Sequence, residues 1–139
     1  MPPVDAAAFT ALSATSALAK ALNIPIQIHL AETQSEISQA MERHKMRPVA
    51  LLESLNFWAP ITIGAHGVWI NDDEIAVLKK RHVGISHNPE SNMTLASGIA
   101  PIPEYLAAGI AVAIAIVVFA LGSTVNDLFG NTLTAILGG

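Results

Sequence analysis

The 139-residue chain is 52% hydrophobic and only 13% charged, enough apolar side chain for one core of ordinary domain size and too much for a disordered segment. Eleven acidic against seven basic residues leave a net charge of −4, and the basic residues end at Arg81, so no nucleic-acid footprint is expected. Zero cysteines exclude a disulfide framework, a thiolate nucleophile and Cys-ligated zinc, so a metal site has to be built from carboxylates and the five histidines.

Met1 to Asp5 lack the basic and apolar regions of a signal peptide, which points to a cytoplasmic protein. Asp5 is placed to cap a helix reaching Ala21, with Leu12, Ala19 and Leu22 on its apolar side. Ile24 to Ile28 reads as a buried strand ending at His29. Thr33 and Glu36 have capping-box spacing and start a helix to about His44, and Arg47-Pro48 opens a short helix to about Leu55. Ile61 to Ala65 is the next strand, ending at His66. Asn71-Asp72-Asp73-Glu74 and Lys79-Lys80-Arg81 put acidic groups at the start and cations at the end of the following helix, as its dipole favours. Val83 to Ser86 then forms a strand ending at His87, Pro103 to Ala108 a short helix, Ile110 to about Val118 a strand, and Asn126 to Leu137 a last helix.

Helices alternating with nearly all-apolar strands predict an α/β fold, a parallel sheet covered by helices, as a single unit over residues 1–139. Four βα repeats are half of an eight-stranded barrel. The uncharged stretch from Tyr105 to Val125 is long enough to cross a bilayer. Glu104 and Asp127 flank it without Lys or Arg, Gly109 interrupts it, and β-branched residues fill Ile110 to Phe119, which favours the buried strand over a membrane span.

His29, His66 and His87 fall at the carboxyl ends of three successive strands, the face where parallel α/β folds gather ligands and catalytic groups. One such histidine is most simply a hydrogen-bonded loop neighbour; three in register suggest a shared site. Neutral imidazoles converging with a carboxylate suit zinc or iron. Glu32, three residues after His29, is placed to fold back over that face as a general acid and base, although by itself it would read as an ordinary first-turn carboxylate. Asn88-Pro89-Glu90-Ser91-Asn92 is a dense turn signal that crowns the same face. His44 and His82, beside other cations, read as solvated groups at helix ends, and Trp58 and Trp69 as core or loop filling, with Trp69 in reach of the pocket.

His29-Leu30-Ala31-Glu32, Ala65-His66-Gly67-Val68, and His87-Asn88-Pro89-Glu90-Ser91-Asn92 followed by Leu95-Ala96-Ser97-Gly98-Ile99-Ala100-Pro101 resemble the second half of the amidohydrolase superfamily. The resemblance is to the branch of methylthioadenosine/S-adenosylhomocysteine deaminases and chlorotriazine hydrolases, and it runs from Ile24 to Ile114. It implies the carboxy-terminal half of a distorted (β/α)8 barrel that holds one divalent metal, usually zinc, and activates water to expel ammonia or chloride from an aromatic ring. It implies His29 as a metal ligand, Glu32 as a proton shuttle that also touches a ring nitrogen, and His66 as the group orienting water and substrate. His87 and Asn92 fall in the loop over the substrate. Two departures accompany it: no His-x-His pair is present, and Val117 stands where the family places a metal-binding Asp. The similarity partly resumes at Asn126-Asp127-Leu128-Phe129-Gly130.

Three readings follow. The chain is half of a metal-dependent deaminase of aminopurine nucleosides or related rings, completed by a missing amino-terminal half or a second copy. Alternatively it is a catalytically inactive α/β half-barrel that acts only through association, or a membrane-attached fragment using the run after Tyr105.

Overall fold

The computed structural model describes residues 3–114. In chain order it contains α1 (Pro3–Leu22), β1 (Ile26–Leu30), α2 (Gln34–His44), α3 (Pro48–Ser54), β2 (Thr62–His66), α4 (Asp72–Lys80), β3 (Gly84–His87), α5 (Pro89–Thr94), α6 (Ile102–Ala108) and β4 (Val112–Ile114). The four strands form one parallel sheet in the order β1-β2-β3-β4, so each βα unit lays its strand beside the one before. This is the predicted α/β class. The end of the fourth predicted strand, Val117, and the last helix from Asn126 lie outside the described residues.

The boundaries differ from the sequence reading for local reasons. The first strand runs over Ile26–Leu30 rather than Ile24 to Ile28, because the Ile24 amide is spent closing α1 onto Ala19 and Pro25 has no N–H to give. The second and third strands start one residue later than expected, at Thr62 and Gly84, and end at His66 and His87 as expected, while His29 lies one residue inside β1. α1 begins at Pro3, upstream of the Asp5 cap expected. Asn88 to Asn92, read as a loop, opens α5, with Pro89 at its first position where a missing N–H costs nothing. No described helix is long and apolar enough to cross a membrane: Gly109 ends α6 in a left-handed conformation, and the chain continues as β4.

The pairing register sorts the side chains. Ile26, Ile28 and Leu30 share a face with Gly64, Ile85 and Val112, and this face packs against the helices. Leu30, Val49, Leu78, Ile85 and Tyr105 are fully buried there. Burial of each such aliphatic side chain contributes roughly 1.5–3 kcal/mol. Gln27, His29, Ile63 and Ala113 lie on the opposite face and are exposed.

Glu74 ties the helical layer together. As N3 of α4 it completes a capping box with Asn71, and it also accepts from Arg47 Nε at 2.9 Å and from the Val49 amide at 3.3 Å, joining α3 to α4. Its side chain is 4% exposed. Glu74→Ala removes an acceptor from several donors at once and is expected to destabilise the chain by about 2–3 kcal/mol, read as a lower midpoint of chemical denaturation.

A second clamp joins Glu53 of α3 to Arg81, with Trp58 Nε1 donating to the same carboxylate at 2.7 Å. The Arg81 hydrogen bond holds the Glu53 carboxyl below its usual range. The folded state therefore binds this proton less readily than the unfolded one, so the stabilisation is present above the glutamate range and is lost as the pH falls through it. Denaturation midpoints of wild type and Glu53→Gln should differ at neutral pH, wild type being higher, and converge in acid.

A histidine and carboxylate centre at the strand ends

Parallel strands in register bring His29, His66 and His87 to the same end of the sheet. Strand alternation alone would put the His66 side chain with Leu30 and Ile85 on the helix side. His66 instead has φ 74, a left-handed conformation that histidine tolerates better than most residues and that breaks the alternation at this position. Its ring meets His29 edge-on at a centroid separation of 5.0 Å.

The loop after β1 is held from two sides. The Leu30 and Ala31 carbonyls accept from the amides of Gly67, Val68 and Trp69, which stitches the ends of β1 and β2 together. Thr33 caps α2 as the spacing predicts, accepting from the Glu36 amide at 3.2 Å. The Glu36 carboxylate reaches past the cap and accepts from the Ala31 and Glu32 amides at 3.0 and 2.9 Å. Glu32 is thereby fixed beside His66, with Oε1 3.5 Å from His66 Nδ1. Donor atoms of His29, Glu32 and His66 lie within 4.8 Å of one another, a spacing suited to one cation. His29 is exposed, Glu32 half-buried and His66 buried.

Asn92, inside α5, closes the far side: its Oδ1 is 2.8 Å from His66 Nδ1, and the residue is 2% exposed. His87 stands at the same sheet end, but no described contact joins it to His29, Glu32 or His66. Its Nδ1 is buried without a partner, and burial lowers its pKa, favouring the neutral ring. Glu32 Oε1 and Asn92 Nδ2 are also buried with no hydrogen-bond partner among the described residues. Trp69 donates Nε1–H to the Ser97 carbonyl at 2.7 Å and ties the loop after β2 to the loop after α5; Trp58 lies in the core. His44 packs against Phe9 at a ring separation of 5.0 Å, with no described contact to Glu32 or His66, and His82 is exposed after α4.

Tyr105 carries no sequence signal for a role here, yet its buried hydroxyl donates to the Gly67 carbonyl next to His66. Burial pushes the Tyr105 pKa well above the usual range, so the group stays a donor. Gly67 has φ +56, and a Cβ there would stand 2.9 Å from the Tyr105 hydroxyl oxygen. Both the turn and the close approach require glycine.

The amidohydrolase family model matches residues 3–126. A 5-methylthioadenosine/S-adenosylhomocysteine deaminase of Carboxydothermus hydrogenoformans is 54% identical over 94 residues, 68% of this chain and 22% of the relative. A 5'-deoxyadenosine deaminase of Methanobrevibacter smithii is 47% identical over 97 residues, 70% of this chain and 22% of the relative. Among solved structures, an adenosine deaminase of Xanthomonas campestris with bound zinc superposes with a TM-score of 0.74 at 30% identity, covering 77% of this chain and 24% of that one. The chain thus spans about a quarter or less of the length of the proteins it matches. The structural neighbours are (β/α)8-barrel enzymes, of which this four-stranded sheet is a sector. With the family model matching nearly its whole length, the chain belongs to the amidohydrolase family.

Proposed function

We propose that this chain carries part of the active centre of a metal-dependent hydrolase that deaminates an aminopurine nucleoside of the methylthioadenosine or S-adenosylhomocysteine type, with triazine-like rings as the wider class. The convergence of His29, Glu32 and His66 within 4.8 Å carries the reading. These donors fit one divalent cation, zinc before iron: imidazole and carboxylate suit both, and the unpartnered, buried Glu32 Oε1 is an anionic oxygen that a cation would satisfy. When bound, the metal would supply Lewis acidity and lower the pKa of water toward neutrality.

The motif roles assign His29 as the metal ligand, Glu32 as the proton shuttle to a ring nitrogen, and His66 as the group that orients water and substrate. Glu32 suits its role because its backbone is anchored through Glu36 while its carboxylate stays half-buried beside His66. The motif puts His87 and Asn92 beside the substrate; His87 ends β3 on that side of the centre, and Asn92 lies in α5 with its side chain turned to His66. Val117 has no side-chain oxygen to supply where the family places an Asp, and with no His-x-His pair the remaining ligands would come from a partner, a missing amino-terminal half or a second copy. The exposed sheet face around His29 and Ile63, and a β1 strand paired on one side only among the described residues, favour the second reading for the isolated chain: association without catalysis.

The test grafts residues 24–114 in place of the matching segment of the Carboxydothermus deaminase and follows zinc content and ammonia release from methylthioadenosine and S-adenosylhomocysteine. The grafted enzyme is expected to deaminate. Glu32→Gln should lower kcat by about 10²–10⁴-fold, and His29→Ala should weaken zinc binding by about tenfold or more. A graft that folds and holds zinc but releases no ammonia would count against the reading. The isolated 139-residue chain at saturating zinc is expected to stay well below roughly 1 s⁻¹, and ordinary turnover would remove the need for a partner.

A further inference from the structure

We propose that Asn92 is a positioning residue that fixes the tautomer of His66, keeping its proton on Nδ1 and leaving Nε2 as the free lone pair. The inference deepens the proposed function, on which it rests for the use made of that lone pair, but its geometry needs neither metal nor substrate. His66 is 4% exposed, so water does not choose its tautomer. Two acceptors face Nδ1: Asn92 Oδ1 at 2.8 Å and Glu32 Oε1 at 3.5 Å. A lone pair on Nδ1 would oppose both, whereas an N–H donates to the nearer and is attracted by the farther. A neutral imidazole carries one N–H, so its other nitrogen, Nε2, is then an acceptor.

Turning the Asn92 amide would offer Nδ2–H to Nδ1, but it would force a lone pair on that nitrogen toward the Glu32 carboxylate. The Asn92 backbone is committed as well: its amide donates to the Asn88 carbonyl at 2.9 Å and its carbonyl accepts from the Ser97 amide at 2.8 Å. The side chain is thus delivered to His66 by α5 and the loop after it. It remains there although its Nδ2 is buried without a partner among the described residues. The consequence is directional. Nε2 of His66 is left to accept a proton or hydrogen bond from water, or to bind a cation, while the nitrogen facing Asn92 and Glu32 is not available for either. An outer carbonyl that fixes an imidazole in this way is a recurrent means of orienting a ring that contacts metal or water.

The test is nitrogen NMR on the metal-free 139-residue chain with 15N-labelled histidine, above the histidine titration range, with His66 signals assigned by their loss in His66→Gln. Two-bond proton–nitrogen correlations distinguish the two tautomers. The wild type is expected to show His66 as Nδ1–H alone, Asn92→Asp to retain it because a carboxylate also accepts, and Asn92→Leu to lose it and show Nε2–H. An Nε2–H ring in the wild type, or an unchanged Nδ1–H ring in a folded Asn92→Leu chain, would overturn the proposal. Where Asn92→Leu loses its amide dispersion, wild type and Asn92→Asp decide: Nδ1–H in both supports it and Nε2–H in either overturns it. Because the sample contains no metal, this result is separate from whether the grafted enzyme deaminates.

Discussion

The parallel pairing of β1 with β2, which sets Leu30 opposite His66, is the constraint on which the strand-end face depends. It brings the loops after the two strands close enough for the amides of Gly67, Val68 and Trp69 to reach the Leu30 and Ala31 carbonyls. Those bonds satisfy backbone groups that leave the sheet at its edge, where an unpaired buried carbonyl or amide is costly. The same bonds fix Glu32 relative to His66. A one-residue slip would move His29 to the helix side and Leu30 to the open face.

The helical layer supports this arrangement from behind. Arg47 donates both to Glu74 and to the Trp69 carbonyl, and Trp69 in turn donates to Ser97. A continuous line of polar contacts therefore runs from α3 through the loop after β2 to the loop after α5. Tyr105 adds a second strut from α6 to Gly67. Each strut ends within a few residues of His66 or Asn92. The core thus does more than exclude water: it sets the backbone that carries the centre, as a precise site on a rigid scaffold requires.

Much of this order was legible along the chain. Apolar runs each ending in histidine located β1, β2 and β3 to within two residues, and charge placement located α4 with its full capping box. Spacing found the Thr33 cap but not the reach of the Glu36 carboxylate to two amides upstream, because that reach depends on the left-handed turn at Ala31, φ 49. α5 carries a turn signal in the sequence because its Asn, Pro and Ser residues favour turns, and its six residues are too few for helical periodicity to outweigh that signal.

By itself the sequence determined the alternation of strands and helices, the three histidines at strand ends and the carboxylate three residues beyond the first, because apolar period and cap chemistry are local properties. Only the tertiary structure decided which of these groups meet. His66 turns toward His29 through a left-handed backbone that no pattern of residue types announces, and Asn92 reaches His66 from 26 residues away through the packing of α5. Sequence spacing sets where a residue sits on its own element, whereas contact between elements is set by register, backbone conformation and the burial that holds them.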